Sequence, residues 1–453
     1  MLDGLGRAFR GEVIAPADAG YDDARRLWNA IHERRPALIV RPTNPADVGI
    51  AIRYGRDHDL PIAVKSGGHS AAGHSGCDGG LVIDMAALRG VMVDPERRTA
   101  RANGGALLRE LDTAAQAHGL VCPVGVIGHT GVAGLTLGGG MGRLERKFGL
   151  TIDNLLGVQL VTADGRVVRA SATEEPELFW GIRGAGPNFG VVTSFDFALQ
   201  PFAGVLHRGI RFYAGSQVHD VWAMLREVAP TMPDEVALIV SIGRAEPASE
   251  YPEAIAGKPI VVVGYNHCGA ADDVERDMAP LERGPRPAST TGGSLPYLQV
   301  QAANDDVMGW GHRTYISGGF LDDLRPEALD ALVELAARAP GEASFALTCQ
   351  GGALGRVPDD ATAFTGRGAR FEYSADTSWE DPADDAANIA WVREAMAAAA
   401  PDAVTGRYVN EIVESGPAET RAIYGDAKLA RLTALKRAWD PDNVFRLNHN
   451  IAP

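Results

Sequence analysis

The sequence Ser66-Gly67-Gly68-His69-Ser70 follows the apolar, strand-like run Leu60-Pro61-Ile62-Ala63-Val64. Two adjacent glycines let a backbone pass close to a flat or phosphorylated ligand, because no Cβ stands in the way. His69 comes next, and its imidazole is a nucleophile and proton carrier near neutral pH. A strand, a Gly-Gly turn and a histidine together indicate a cofactor-binding loop. Such turns are common, so the interpretation depends on partners elsewhere in the chain.

The chain has 453 residues, more than one ordinary core holds, and we expect two or three domains. Its hydrophobic content of 45% and charged content of 22% are typical of a soluble globular protein. A formal charge of −15 argues against nucleic acid or an anionic membrane as partner. No window reaches the ~18 apolar residues of a membrane span, and the start has no signal-peptide pattern. We therefore expect a cytoplasmic protein.

The cysteines and glycines are distributed very differently. Cys77, Cys122, Cys268 and Cys349 are scattered and never spaced as CxxC, so neither a disulfide framework nor a metal site is expected. Glycines concentrate between Gly67 and Gly190. The stretch from 122 to 142 interleaves eight glycines with apolar residues, whereas a flexible linker would be polar and rich in serine. We expect this stretch to be buried and wrapped around another group or segment.

The periodicity predicts alternating strands and helices in the first 200 residues, including a helix from Tyr21 to Glu33 and a strand from Ile62 to Lys65. From about 205 to 400, amphipathic helices alternate with strands and predict a second domain. The terminal segment Asp440 to Asn450 carries Asn and His among apolar residues, which indicates docking on a polar ligand.

The common nucleotide and hydrolase motifs are absent. Gly184-Ala185-Gly186-Pro187-Asn188-Phe189 begins like GxGxxG, but Phe189 stands at the third glycine. Neither GxxxxGK[ST] nor GxSxG occurs, and no HExxH spacing is present. What remains is several separate Gly-rich loops, each able to bring backbone N–H groups to a pyrophosphate and a ring system.

Several motifs, taken in order, resemble one family. They are Val64–Ser70, Gly128–Gly142, Lys147–Asn154, Trp180–Thr193, and the C-terminal residues Tyr408-Val409-Asn410, Tyr424-Gly425 and Asn448-His449-Asn450. Together they resemble the FAD-linked oxidases of the berberine bridge enzyme-like group, within the vanillyl-alcohol oxidase/p-cresol methylhydroxylase (PCMH) superfamily. The resemblance is strong over about 35–200 and 405–453 and looser between them.

The resemblance implies an α+β fold. Residues 1–203 would form the first part of a PCMH-type FAD-binding domain. Residues 204–404 would form a substrate domain, with an antiparallel sheet backed by helices. Residues 405–453 would be the C-terminal berberine bridge enzyme-like segment that completes the FAD domain.

The resemblance also implies an 8α-histidyl bond between His69 and FAD, with His129 at the flavin edge. A second, 6-S-cysteinyl bond at Cys122 stays open. Cys122-Pro123 matches the family, but one residue fewer precedes His129 and Ile127 replaces a glycine. The implied cofactor-binding residues are Lys65, Ser66, Gly67, Gly68, His69, Ser70, Cys122, Val126, Gly128, His129, Thr130, Gly131, Gly134, Leu135, Gly138, Gly139, Gly140, Gly142, Asn154, Gly190, Val191, Val192, Asn448 and Asn450.

For catalysis the resemblance places Tyr408 near flavin N5 with Asn410 beside it. A tyrosine base needs its pKa lowered from about 10 by nearby cations or donors. The alternative is a structural tyrosine that packs on the ring. Tyr424, His312 and Gln350 are weaker candidates.

The implied reaction is oxidation of a small organic substrate at a C–H next to O or N. A base takes the O–H or N–H proton, a hydride moves to the flavin, and O2 reoxidises it to give H2O2. Two alternatives remain: a flavin-dependent oxidative cyclase or oxygenase of secondary metabolism, and a flavin-binding protein with little catalysis.

Overall fold

The computed structural model describes residues 5, 8–245 and 251–453. Its first layer is a four-stranded sheet in the order β1-β2-β4-β3, in which β2, β4 and β3 run parallel and β1 is antiparallel. The strands are β1 (Glu12–Ile14), β2 (Leu38–Arg41), β3 (Ile62–Lys65) and β4 (Leu81–Asp84), with helices α1 (Tyr21–Arg25) and α2 (Pro45–Asp57). The strand predicted before the Gly-Gly turn is therefore β3.

The two helices of this layer begin and end for identifiable reasons. The side chain of Asn44 accepts the Asp47 N–H, and Pro45 fills the first helical position of α2. The helix predicted from Tyr21 to Glu33 is wrong beyond Arg25. The N–H of Trp28 donates to the Gly68 carbonyl and that of Ala30 to the His312 carbonyl, so tertiary contacts replace helical bonds there.

The second layer is a five-stranded antiparallel sheet in the order β5-β6-β10-β8-β9. Its strands are β5 (Val91–Asp94), β6 (Thr99–Asn103), β8 (Leu155–Val161), β9 (Val167–Ser171) and β10 (Val191–Ala198). The surrounding elements are α3 (Leu108–Gln116), β7 (Leu120–Val121), α4 (Val132–Gly138), α5 (Glu145–Phe148), α6 (Pro176–Ile182) and β11 (Gln200–Pro201), which pairs with β7. The Gly-rich stretch thus lies between β7 and α5, largely as α4 and its flanking loops.

The third layer is an eight-stranded antiparallel sheet in the order β15-β12-β14-β13-β17-β18-β16-β19. Its strands are β12 (Val205–Ala214), β13 (Val236–Arg244), β14 (Pro259–His267), β15 (Ser289–Pro296), β16 (Arg313–Leu321), β17 (Ser344–Cys349), β18 (Phe371–Trp379) and β19 (Ala403–Val404). Its helices are α7 (Val218–Val228), α8 (Val274–Met278), α9 (Tyr297–Ala302), α10 (Pro326–Ala337), α11 (Gly352–Arg356) and α12 (Asp385–Ala399). The predicted α+β fold with a helix-backed antiparallel sheet is confirmed.

The two faces of this large sheet differ in polarity. Leu238, Val240 and Leu347 pack in one core with residues of α7, α10 and α12. Because side chains alternate along a strand, the residues between them face the other way. Thr348 and Glu372 lie opposite each other on that second face of β17 and β18.

The C-terminal helix α13 (Pro417–Trp439) returns to the second layer, where Ile423 and Leu432 join its core. Its backbone leaves helical geometry at Gly425, where φ is 66°. Within the described ranges, no helix combines the length and apolarity that a membrane crossing requires.

Candidate active site

Two Gly-rich loops meet through their backbones. A Cβ at Gly67 would lie 2.2 Å from the Gly131 nitrogen, and a Cβ at Gly131 would lie 2.3 Å from the Gly67 nitrogen. Real side chains do not tolerate such distances, so both positions require glycine. The structure therefore brings together the two loops that the sequence singled out.

His69 lies where these loops join. Its Nε2 is 2.6 Å from Nδ1 of His129. Trp28 stacks on the His69 ring with 4.8 Å between centroids, and Trp310 meets the ring edge-on at 6.1 Å. Burial first, and His129 second, lower the pKa of His69 to about 3. His69 is therefore a neutral imidazole at physiological pH.

The segment 303–312, between α9 and β16, covers this junction, and the sequence reasoning missed all of it except His312. The Gly128 N–H donates to Oδ1 of Asp305 at 2.6 Å, and Nε2 of His129 lies 3.0 Å from the Asp305 carbonyl oxygen. Nε1 of Trp28 donates to the Met308 carbonyl at 2.7 Å. Trp310 was the one available signal, as a large aromatic side chain within a polar stretch.

The Gly-rich stretch around α4 offers room and unpaired polar groups for a ligand. A Cβ at Gly134 would meet no atom within 4 Å, and the residue is exposed. Thr136 Oγ1, Asn448 Oδ1 and Asn450 Oδ1 are buried and have no hydrogen-bond partner within the described residues. Buried polar atoms are normally paired. An open glycine surface and buried polar atoms without partners are features that a bound dinucleotide such as FAD would satisfy.

Other predicted cofactor residues use their side chains inside the protein. Lys65 Nζ donates to the Ala24 carbonyl, and Ser66 Oγ donates to the Gly104 carbonyl, each at 2.7 Å. Ser70 Oγ accepts the His74 N–H. Asn154 Nδ2 donates to the Phe148 and Leu150 carbonyls. These side chains fix the loops, which leaves their backbones to contact a ligand.

Tyr408 and Asn410 pack against the same Gly-rich stretch. The Met141 N–H donates to Oη of Tyr408 at 3.1 Å, and Nδ2 of Asn410 donates to that oxygen at 3.0 Å. A Cβ at Gly138 would lie 2.2 Å from Oδ1 of Asn410. The structure thus joins the C-terminal segment to α4.

The pKa of Tyr408 moves in the wrong direction for a base. Burial, and then the charge of Glu411, raise it above its ordinary value. The guanidinium of Arg407 gives no help, because it donates to the Gly318 carbonyl and to Oγ of Ser317 instead. The lowered pKa that a tyrosine base requires is therefore not provided.

A cluster of buried carboxyl groups lies beside Tyr408. The carboxyls of Glu372 on β18 and Glu411 hydrogen-bond each other, so the pair shares a proton. Burial is the main cause that raises the pKa of both groups, and for Glu372 the charge of Glu411 adds to it. Burial likewise raises the pKa of Glu145 to about 7. Glu411, whose pKa burial raises to about 7, and Glu145 are therefore carboxyls able to exchange a proton near neutral pH.

The sequence reasoning missed this cluster, although one signal was present. Glu372, Ser374 and Asp376 alternate with apolar residues on β18, which marks a second, polar face. On that face Glu372 and Ser374 are buried, and Asp376 is partly buried. Gln350, a weak candidate from sequence, precedes α11, and its side-chain amide is buried without a partner among the described residues. Tyr424, another weak candidate, is buried, and its Oη is unpaired there too.

Cys122 is fully buried in the core of the second layer. Burial, reinforced by the charge of Asp112, raises the pKa of its thiol. Because the thiolate is the nucleophile, this environment disfavours the second flavin bond.

Comparison with known proteins agrees with this geometry. Residues 36–171 match the family model "FAD binding domain", and residues 407–452 match "Berberine and berberine like". (R)-6-hydroxynicotine oxidase of Paenarthrobacter nicotinovorans is 32% identical over 98% of this chain and 97% of its own. An uncharacterized FAD-linked oxidoreductase of Bacillus subtilis, YgaK, is 29% identical over 98% of this chain and 97% of its own.

A solved structure with similar sequence also has the same fold. The crystal structure of 6-hydroxy-D-nicotine oxidase from Arthrobacter nicotinovorans matches with a TM-score of 0.88 and 31% identity, covering 100% of both chains. Fold and site together define an FAD-dependent oxidoreductase with a PCMH-type FAD-binding domain. The chain belongs to the berberine bridge enzyme-like family of FAD-linked oxidases.

Proposed function

We propose that the protein is an oxidase that carries FAD bonded to His69 and oxidises a small organic substrate at a C–H next to O or N. O2 would be the electron acceptor and H2O2 the second product. The observation that carries this proposal is the neutral His69 ring at the contact between the Gly67 and Gly131 loops. A cytoplasmic location stays a prediction from the sequence.

Bound FAD would supply the two-electron acceptor, and the protein would supply binding and orientation. Backbone N–H groups of the Gly-rich loops are suited to its phosphates. The unpaired oxygens of Thr136, Asn448 and Asn450 are available to its polar groups. The ring of His69, which contacts Trp28 and Trp310, would tether the isoalloxazine end of FAD.

We assign proton removal to the Glu372–Glu411 pair rather than to Tyr408. A general base works best when its pKa lies near the operating pH, and burial raises the pKa of Glu411 to about 7. Tyr408, hydrogen-bonded by Asn410 and by the Met141 N–H, would orient the substrate and exclude water.

The test is anaerobic mixing of the purified protein with panels of amines, alcohols and oligosaccharides while flavin absorbance is followed. Bleaching by one class, restored by O2 with stoichiometric H2O2, is the expected outcome. Acid denaturation should leave the flavin on the wild-type chain and release it from His69→Ala. Wild-type protein that releases all its flavin would overturn the tether, and a panel without bleaching would favour the weak flavin-binding alternative.

A further inference from the structure

A cavity of about 650 Å³ lies on the helix side of the large sheet. Its size is within the range of small-molecule sites. Residues of β16 and β18 form its floor, α12 forms one wall, and the segment from β19 into α13 forms the other. Tyr373 of the floor packs in the core shared with the helices, whereas its neighbour Glu372 faces the other way. The cavity and the candidate active site therefore lie on opposite faces of one sheet.

Tyr373 brings an unused hydroxyl group to this cavity. The residue is only 3% exposed, and its ring stacks on Phe345 with 5.5 Å between centroids. Its hydroxyl has no hydrogen-bond partner within the described part of the chain. Gly319 pairs with it across the sheet, and a Cβ there would lie 3.3 Å from the Tyr373 Oη. Because buried polar groups are normally paired, a ligand atom in the cavity would satisfy this hydroxyl.

Arg393 on α12 supplies a cation that the protein itself does not neutralise. Two other arginines line the cavity, and each has a carboxylate partner: Arg407 pairs with Glu419, and Arg421 pairs with Asp426. Arg393 has no such partner among the residues that the structure describes. Its guanidinium is therefore available to an anion.

The lining carboxylates are also engaged. Oε1 of Glu414 accepts the Tyr315 hydroxyl at 2.6 Å, and Oε2 accepts the Ser317 hydroxyl at 3.2 Å. Glu419 is held by its arginine partner. Three arginines and two glutamates thus line the cavity, an excess of one positive charge in a chain of formal charge −15.

The free cation and the free hydroxyl lie at opposite ends of an apolar wall. The guanidinium carbon of Arg393 is 5.6 Å from the centre of the Tyr315 ring. Tyr373 pairs with Gly319, four residues farther along β16, which is about 13 Å at the rise of a strand. The wall between them follows Arg393 on one face of α12 at helical spacing and consists of Met396, Ala397 and Ala400.

We propose that this cavity binds a small carboxylate with an apolar body and a hydrogen-bond acceptor at its far end. The carboxylate would bind the guanidinium of Arg393, since charge-assisted hydrogen bonds to a carboxylate are strong. The acceptor would take the proton of the Tyr373 hydroxyl, and the apolar body would lie against α12. The inference goes beyond the proposed oxidation and does not depend on it, because no group of the flavin side takes part.

Three probes of nearly equal shape test the two contacts separately. The first is 4-(4-acetylphenyl)butanoate, which carries both the charge and the acceptor. In 4-(4-acetylphenyl)butanamide the charge is removed, and in 4-(4-isopropylphenyl)butanoate an apolar group replaces the acceptor. Isothermal titration calorimetry of the flavin-loaded, full-length protein measures each dissociation constant. Thermal denaturation provides a second readout, because a bound ligand raises the melting temperature.

We expect the first probe to bind wild type, the amide to bind about tenfold more weakly, and the isopropyl probe about threefold more weakly. Arg393→Gln should weaken binding of the first probe about tenfold and bind the acid and the amide alike. Tyr373→Phe should bind the acetyl and isopropyl probes alike. Each pair of a probe change and a residue change forms a cycle that a general effect on stability would not reproduce.

Two further variants bracket the site. Ala397→Trp should abolish binding by filling the cavity, since Ala397 lines it and is exposed. Arg338→Gln is the matched control for Arg393→Gln: Arg338 pairs with Glu394, the next residue of α12, but does not line the cavity. Its dissociation constant should stay within about twofold of wild type.

No binding of the first probe to wild type at about 10 mM would overturn the inference. Equal affinity for the acid and the amide, or unchanged binding in Ala397→Trp, would do the same. None of these results bears on flavin attachment or reduction, so the proposed oxidase function stands or falls separately. If a substituted chain gives no soluble protein, the three probes still test both contacts in wild type.

Discussion

The two ends of the site are both buried, yet they are built from opposite chemistry. Around His69, burial lowers the pKa of the imidazole to about 3. Around Glu372 and Glu411, burial raises the pKa of the carboxyls. In both places the low dielectric favours the neutral form. The first end thereby keeps a neutral imidazole, and the second keeps a proton that can be exchanged.

The largest effect is expected from removing the carboxyl group of Glu411, which we propose exchanges the proton. Glu411→Gln keeps the size and the hydrogen bond but cannot accept a proton. We expect the rate constant for anaerobic flavin reduction to fall by about 10²-fold or more, while the covalent flavin content stays at the wild-type level. Stopped-flow absorbance with a substrate found in the panel measures it. A reduction rate within a few-fold of wild type would return the base role to Tyr408.

The rate of flavin reduction should also depend on pH in a direction that the pKa of Glu411 determines. Burial raises the pKa of Glu411 to about 7, so the basic form disappears as the pH falls through that value. We expect the reduction rate to rise with pH across about 6–8 and then level off. The Glu411→Gln variant should lack this limb. A wild-type profile that keeps rising toward pH 10 would indicate a tyrosine instead.

The loop junction at His69 depends on backbone contact rather than on titration. Gly131→Ala would force the new methyl group against the Gly67 nitrogen. We expect a loss of about 1–3 kcal/mol in unfolding free energy, as for overpacked cores, together with a lower flavin content. Thermal denaturation of the flavin-free chain measures the stability. An unchanged melting temperature would show that the loops are free to separate.

Gly134→Ala is the complementary change, because a Cβ there meets no protein atom. Alanine in place of glycine inside α4 should leave the flavin-free chain as stable, or more stable by about 0.5–1 kcal/mol. Flavin affinity should nevertheless fall if FAD covers this surface. Titration with FAD on a His69→Ala background measures binding alone. An unchanged affinity would place the cofactor away from α4.

The sequence could predict the first end of the site far better than the second. The Gly67 and Gly131 loops are local motifs, and close backbone approach demands glycine wherever the partner lies. The carboxyl pair joins β18 to a turn 39 positions later in the chain, and no local pattern pairs Glu372 with Glu411. The contact of Asp305 with His129 could not be predicted for another reason. It is made by a backbone carbonyl, which every residue possesses.

The helix predicted from Tyr21 to Glu33 failed for a related reason. Its periodicity was correct for a helix, but the N–H groups of Trp28 and Ala30 are taken by Gly68 and His312. Trp28 is thereby placed against His69. The local sequence favours a helix here, but tertiary hydrogen bonds at the candidate site override that preference.

The smallest expected effect on the flavin concerns Cys122. Its substitution tests whether the flavin has one covalent bond to the protein or two. Cys122→Ala should leave the visible spectrum and the acid-stable flavin unchanged, because the thiol is buried and its pKa is raised. The cost in unfolding free energy should be about 1 kcal/mol, the effect of a small cavity. Cys349→Ala, an equally buried thiol on β17, is the matched control and should behave alike. A spectral shift in Cys122→Ala alone, or acid-stable flavin remaining in His69→Ala, would reveal a second bond.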